Sequence, residues 1–256
     1  MATRMRRPLV IAHRGNSSAA PENTLSAFRS ALALDVDGVE LDYRHSADGV
    51  PVVFHDSTLD RTTNALSLWN QQQLAIADCT LDQLQQLDYG SWFGAAGEFT
   101  DEPLATLEAA LDLICGAERL AVVERKSGDA QTLAAMLSRK RLEHRVVVMA
   151  FDWAFLADCH RLDATLQLVA LGDGPLTAER LDTIASTPAK TVGWDCNALD
   201  AAAIAVVHQR GWQAWTWTVD DSARMRELSA WGIDAITSND PARMLAVLAG
   251  ISGLPD

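Results

Sequence analysis

Short apolar runs alternate with longer amphipathic stretches along almost the whole chain, and this alternation constrains the fold more than any other feature. The apolar runs are Pro8–Ala12, Gly38–Asp42, Leu120–Glu124, Arg145–Ala150, Leu166–Leu171, Thr191–Trp194, Gln213–Thr218 and Ala235–Thr237, eight in all. Helical patterns separate them: Glu22–Leu34, Leu104–Cys115, Ala130–Leu142, Trp153–Leu162, Ala178–Ile184, Ala201–Arg210, Ser222–Trp231 and Pro241–Ala249. Eight strands each followed by a helix predict an α/β protein, a closed (β/α)₈ TIM barrel. A doubly wound open sheet shares the alternation, but a length of 256 residues suits a barrel. The expectation is one barrel domain over residues 1–256.

Boundary chemistry sharpens the elements. Pro21 is predicted to begin the first helix, where its missing N–H costs little. Asp221 or Ser222, and Asp240 before Pro241, are expected to cap the helices that follow them. Gly211 and Gly232 stand where helices should stop. One segment, residues 44–103, breaks the rhythm. It holds hairpin chemistry at Asp48–Gly49, an apolar run Val50–Phe54, a polar stretch Asn70–Gln73 and a short helical pattern around Leu81–Leu87. Long irregular connections are usually functional or form a small subdomain, so a small insertion over the barrel mouth is expected after the second strand.

Charge and cysteine usage exclude some functions. The formal net charge is −13, with 21 basic against 34 acidic residues. A general binder of nucleic acid or anionic membrane needs the opposite field, so neither partner is expected. A phosphate-bearing small molecule requires a local concentration of positive charge. The four cysteines are scattered, without metal-ligand or redox spacing, and read as reduced thiols. No apolar run approaches the roughly 20 residues that span a bilayer. Leu9–Ala12, although preceded by Arg4, Arg6 and Arg7, is too short for a signal-peptide core. A cytoplasmic protein is expected.

In barrel enzymes the chemistry gathers at the C-terminal ends of strands. The first predicted strand ends in His13–Arg14–Gly15, the second in Glu40–Leu41–Asp42, the third in Glu124–Arg125–Lys126. Charges at buried strand ends are costly without partners. Side chains two apart share a face, so Glu40 and Asp42 point together, as do Glu124 and Lys126, while Arg125 faces away. Three carboxylates converging on one point make an oxygen-rich site suited to Mg²⁺ or Ca²⁺. Rim salt bridges account for any one of these residues, but less well for the set. His13 and His55 each end an apolar strand beside it, and two imidazoles can divide general base and general acid between them. His45, His144, His160 and His208 have no such surroundings and read as structural.

The ordered set of motifs is similar to the glycerophosphodiester phosphodiesterase family. The resemblance rests on His13–Arg14–Gly15, Pro21–Glu22–Asn23–Thr24, Glu40–Leu41–Asp42, Asp48 through Asp56, Leu59 through Asn64, Glu124–Arg125–Lys126 and Trp217–Thr218–Val219. It implies a barrel with Glu40, Asp42 and Glu124 as ligands of one divalent cation, and His13 and His55 as the acid–base pair. It further implies that Arg14 and Lys126 hold the phosphate and that Trp217 lines the pocket near the alcohol portion. Glu22 lies in a family motif and reads equally as a supporting residue or as helix-start chemistry. Three carboxylates, one divalent cation, Arg14 and Lys126 sum to roughly +1, which complements a phosphodiester monoanion. The sequence departs from the family after Asn64, where Ala65 through Gln73 replaces a glycine-rich continuation.

The implied activity is hydrolysis of glycerophosphodiesters to sn-glycerol 3-phosphate and an alcohol. A lysophospholipase D, or a phosphodiesterase for another small diester, keeps the chemistry and changes the substrate; Leu66, Leu68 and Trp69 could then line an apolar groove. A non-catalytic binding barrel is the reading from a different class, and intact His13, His55, Glu40, Asp42 and Glu124 argue against it.

Overall fold

Apolar residues at every second strand position build two layers of core in the computed structural model, which describes residues 7–94 and 97–251. Strands β1 (Leu9–Ala12), β2 (Gly38–His45) and β3 (Pro51–Val53) come first. They are followed by β4 (Leu120–Arg125), β5 (Val146–Ala150), β6 (Gln167–Gly172), β7 (Thr191–Asp195), β8 (Gln213–Trp217) and β9 (Ala235–Ser238). The order β1-β9-β8-β7-β6-β5-β4-β2 is parallel throughout and closes through β1 against β2, a (β/α)₈ barrel of eight strands. Closure decides against the open sheet. The ninth strand, β3, runs antiparallel on the free end of β2, with Tyr43 opposite Val53.

The helices are α1 (Leu25–Leu32), α2 (Ala65–Trp69), α3 (Leu81–Leu84), α4 (Leu107–Gly116) and α5 (Ala130–Lys140). Then come α6 (Trp153–Leu162), α7 (Ala178–Ala185), α8 (Ala201–Gln209), α9 (Ser222–Ala230) and α10 (Pro241–Ala249). Asp221 and Asp240 cap α9 and α10 as their sequences predict, with Pro241 in the first turn of α10. Gly211 and Gly232 adopt positive φ beyond α8 and α9.

The first helix corrects the sequence reading. It starts at Leu25, capped by the Thr24 side chain, and not at Pro21. Asn23 sits at φ 60°, outside the helical region, and its N–H donates to the Arg14 carbonyl. Residues 21–23 therefore form a turn packed against the loop after β1.

Between strands and helices lies the larger core, where Val10, Val39, Leu41, Val123 and Val148 meet helix residues such as Phe28, Leu111, Leu133 and Leu156. Inside the barrel, Ile11, Val122, Val147, Val169, Leu171 and Trp215 form a separate cluster. Their bulk fills the lower barrel, which leaves the C-terminal ends of the strands for polar side chains. A third cluster, including Val52, Phe54, Leu59, Ile76, Leu84 and Tyr89, belongs to the segment between β2 and α4. Trp153 and Trp231 lie on or at helices, and Trp215 lies in the barrel interior with Trp217 above it. Arg4 and Arg6 lie outside the described residues.

Candidate active site

Strand register brings the charged residues together. Asp42 on β2 stands opposite Glu124 on β4, and Glu40 opposite Val122, so all three carboxylates rise from the interior face of two neighbouring strands. Oxygens of Glu40, Asp42 and Glu124 lie within 4.8 Å of one another, and all three residues are buried. At an effective dielectric of about 20, two such charges repel by about 3.5 kcal/mol, so three together cost on the order of 10 kcal/mol before compensation.

Two cations supply part of that compensation. Lys126 Nζ lies 3.2 Å from Asp42 Oδ1 and also pairs with Glu124. Arg14 Nε lies 3.1 Å from Asp42 Oδ2, and the Arg14 backbone N–H donates to Glu40 Oε2 at 2.9 Å. Asn23 brackets Asp42, donating to Oδ2 at 2.8 Å and accepting from the Asp42 N–H at 3.1 Å. Burial alone would raise Asp42, but Lys126 and Arg14 outweigh it and hold the carboxyl below its ordinary value. Glu40 and Glu124 go the other way: burial and then the neighbouring Asp42 charge raise both, Glu124 to about 7. Lys126 is held above its usual range because Asp42 and Glu124 overcome the burial that would lower it. Among the described residues Glu40 Oε1 is buried with no hydrogen-bond partner. An oxygen-only donor set with an orphaned carboxylate oxygen and excess negative charge fits a hard divalent cation.

The two histidines flank this centre. His13, at the end of β1, places Nε2 3.9 Å from Glu40 Oε2, and its Nδ1 lies 2.7 Å from Asn239 Oδ1. Gly15 makes the turn that aims His13 and Arg14: its φ is +85°, and a Cβ there would lie 2.7 Å from the Ala27 backbone. His55 follows β3, and its Nδ1 lies 2.6 Å from Asp56 Oδ1. Burial lowers both imidazoles; for His13 the Arg14 charge adds to it, while for His55 the Asp42 charge opposes it. The depression favours neutral rings able to accept a proton.

The cavity at the barrel mouth measures about 240 Å³ and is lined by His13, Arg14, Glu40, His55, Glu124 and Lys126 on its polar side. Met149, Phe151 and Trp217 form its apolar side, with the Phe151 and Trp217 rings edge to face at 5.6 Å. Every site residue expected from the sequence therefore meets in one place: Asp42 sits beneath the cavity, and the other seven line it.

Sequence reasoning missed part of the support. Glu22 starts no helix; it accepts from Arg14 at 2.7 Å and from two nitrogens of Arg61 at 2.7 and 2.8 Å. Arg61 also donates to Asp56 at 2.6 and 3.0 Å, which ties Arg14 to the carboxylate behind His55. Through Arg61 and then His55, Asp56 is pulled down to about 2 despite its burial. Asn23, Asp220 and Asn239 were not singled out either. The strand-end rule, carried on to β9, would have found Asn239.

A closed parallel barrel with such a cluster at the C-terminal ends of its strands is the architecture of a barrel enzyme acting on an anion. The chain belongs to the glycerophosphoryl diester phosphodiesterase family, whose model matches residues 13–243. It is 31% identical over 248 residues to the glycerophosphodiester phosphodiesterase of Caldanaerobacter subterraneus subsp. tengcongensis, covering 93% of this chain and 96% of that relative. The Bacillus subtilis glycerophosphodiester phosphodiesterase is 31% identical over 255 residues, covering 92% and 84%. Among solved structures, an Oleispira antarctica phosphodiesterase in complex with the product sn-glycerol-3-phosphate superposes with a TM-score of 0.82 at 25% identity. That alignment covers 95% of this chain and 97% of the other. A glycerophosphodiester phosphodiesterase from Agrobacterium tumefaciens gives 0.79 at 25% identity, covering 93% and 99%. No helix among the described residues is long and apolar enough to cross a membrane.

Proposed function

We propose that this protein hydrolyses glycerophosphodiesters to sn-glycerol 3-phosphate and an alcohol, using one divalent cation, Mg²⁺ or Ca²⁺, and the histidine pair His13 and His55. The observation that carries the reading is the buried triad of Glu40, Asp42 and Glu124, with oxygens within 4.8 Å and cations on two sides. Those three carboxylates would hold the cation, which when bound supplies Lewis-acid polarisation of a phosphoryl oxygen. Arg14 and Lys126 face the cavity and bind the phosphate, their charges concentrated inside a protein of net charge −13. Of the two imidazoles that face the cavity, one takes the proton of the attacking hydroxyl and the other returns one to the leaving alkoxide. Each such transfer is worth about 10²–10⁴ in rate. Trp217, backed by Phe151, packs against the apolar part of the alcohol.

The segment at residues 44–103, with its own apolar cluster, acts as a small subdomain over the mouth and shapes the leaving-group side. A lysolipid as a second substrate class would need an apolar surface for its chain, for which Leu66 and Leu68 on α2, 47% and 53% exposed, are the candidates. Four buried free thiols suit a cytoplasmic location.

The test is release of glycerol 3-phosphate from glycerophosphocholine by purified protein with Mg²⁺, with Ca²⁺ and with EDTA, beside His13→Ala. The expected result is metal-dependent release, reduced about 10²-fold or more in the variant. Absence of release with either metal across several head groups overturns the glycerophosphodiester reading, and turnover of lysolipids alone would establish the second.

A further inference from the structure

His13 is held from behind by a chain of two residues to which the sequence motifs assign no role. Asn239 follows β9 and presents Oδ1 to His13 Nδ1 at 2.7 Å. The Asn239 side-chain NH₂ donates to Asp220 Oδ2 at 2.6 Å, and the Asn239 backbone N–H donates to Asp220 Oδ1 at 2.8 Å. Ser238 Oγ donates to the same Oδ1 at 2.9 Å. An ionised carboxylate only accepts hydrogen bonds. The nitrogen of the Asn239 amide must therefore face Asp220, and its oxygen must face His13. An amide oxygen also only accepts, so the hydrogen between it and the imidazole sits on Nδ1. The other ring nitrogen, Nε2, is left bare and directed at Glu40 and the cavity.

We propose that Asp220 and Asn239 are positioning residues that lock His13 in its Nδ1-protonated tautomer, leaving Nε2 as the nitrogen that exchanges a proton with substrate. The inference rests on the reading of His13 as one of the acid–base pair. The arrangement differs from that behind His55, whose Nδ1 meets the Asp56 carboxylate directly. For His13 the carboxylate acts one residue removed, fixing the sense of an amide, and the imidazole gains orientation without a carboxylate on Nδ1. Ser17 Oγ, 2.8 Å from the His13 carbonyl and 3.0 Å from Asn239 Oδ1, has one hydrogen to share between these two acceptors and leaves the sense of the amide to Asp220.

The substitution that separates tautomer control from packing is Asp220→Asn, which keeps shape and reverses one donor. The Asn239 backbone N–H and Ser238 hydroxyl retain the new amide's oxygen at the Oδ1 place. Its NH₂ then occupies the Oδ2 place, facing the Asn239 NH₂. Asn239 relieves that clash by rotating its amide, and its NH₂ turns to His13 Nδ1, which must then be bare. In Ser-His-Asp triads a carboxylate-to-amide change of this sense lowers kcat about 10⁴-fold through the wrong tautomer.

The experiment reads the imidazole directly. Protein labelled with ¹⁵N-histidine is examined by long-range ¹H–¹⁵N correlation at about pH 8, above the usual histidine range. The His13 signals are assigned by their loss in His13→Gln. Wild type is expected to show a protonated Nδ1 and a bare Nε2; Asp220→Asn is expected to exchange them, and Asn239→Ala to give a mixture. Folding is checked by thermal melting, and kcat for glycerophosphocholine should fall about 10²-fold or more in Asp220→Asn, with KM changing less than about threefold. A bare Nδ1 in wild type, or a spectrum unchanged in folded Asp220→Asn, overturns the relay. Exchange of the tautomers with kcat intact upholds the relay and instead overturns the role assigned to His13.

Discussion

Arg14 is positioned by three carboxylates at once: Glu22 and Asp42 through its guanidinium, and Glu40 through its backbone N–H. Of these, Glu22 is the one with no part in the proposed cation centre, and it is shared with Arg61, which also holds Asp56. A charge-assisted hydrogen bond of this kind is worth about 1.5–3 kcal/mol, enough to decide where a half-buried guanidinium rests. Glu22→Gln keeps the shape, removes the charge and frees both arginines. The expected outcome is a rise of about tenfold in KM for the diester, with a smaller change in kcat, measured by steady-state kinetics. An unchanged KM would mean that Asp42 and Glu40 alone place Arg14. Glu22 could not be resolved from the sequence because it stands beside a proline, where an acidic residue equally suits a helix start. Asn23 was harder still, a neutral side chain with no charge signal, and Asn239 was open only to the strand-end rule, its partners lying 226 and 19 residues away in the chain. The charged residues were legible as a set, since three carboxylates at the ends of apolar strands have few uses other than a site, whereas any one of them serves equally as a rim salt bridge.

At the scale of elements, strand periodicity carried most of the information. The period of two that separates Glu40 and Asp42 from Leu41 also separates the barrel interior from the helix-facing core, so faces could be assigned before any contact was known. Turns were less legible. The loop after β1 must pass within contact of α1, and only the glycine at position 15 permits it. Gly15→Ala adds a Cβ at φ +85° and 2.7 Å from Ala27. Backbone strain and overpacking together should cost about 1–3 kcal/mol, read by urea unfolding. Because the same loop carries His13 and Arg14, turnover should fall in the folded fraction as well. Stability and activity both equal to wild type would show that the loop can shift without displacing the site. The late start of α1 belongs to this packing: residues 21–23 leave the helical path so that Asn23 can reach Asp42, a tertiary demand that local helix-start signals do not contain.

Across the whole molecule, closure was the property that alternation could not decide, because it depends on the pairing of β1 with β2 and of β1 with β9, contacts far apart in the chain. Closing the barrel buries the three carboxylates that the β2–β4 register brings together, with a consequence for stability. Burial and the neighbouring Asp42 charge raise Glu40, and raise Glu124 to about 7, whereas an unfolded glutamate titrates near 4.5. With folded values above unfolded ones, folding takes up protons, and stability rises with pH only where the unfolded state binds more. The contribution of Glu124 is therefore fully present below about pH 4.5 and is lost as pH rises through about 7, and Glu40 acts in the same sense. Asp42 and Asp56, both depressed, act in the opposite sense and only at lower pH, where stability is lost as pH falls through their folded values. These two glutamates make the metal-free protein easier to unfold between about pH 5 and pH 8. His13, His45 and His55, held below their ordinary values, act in the opposite sense, so the glutamate contribution is read as the difference between wild type and Glu124→Gln. A divalent cation held by Glu40, Asp42 and Glu124 favours their ionised forms, so its stabilising effect should be larger at the higher pH. Urea unfolding at the two pH values, in EDTA and in Mg²⁺ or Ca²⁺, reads both effects. A decline in EDTA that the cation abolishes fits a barrel whose charge is incomplete without it. The same pH dependence in wild type and Glu124→Gln in EDTA would mean that Arg14 and Lys126 already balance the three carboxylates.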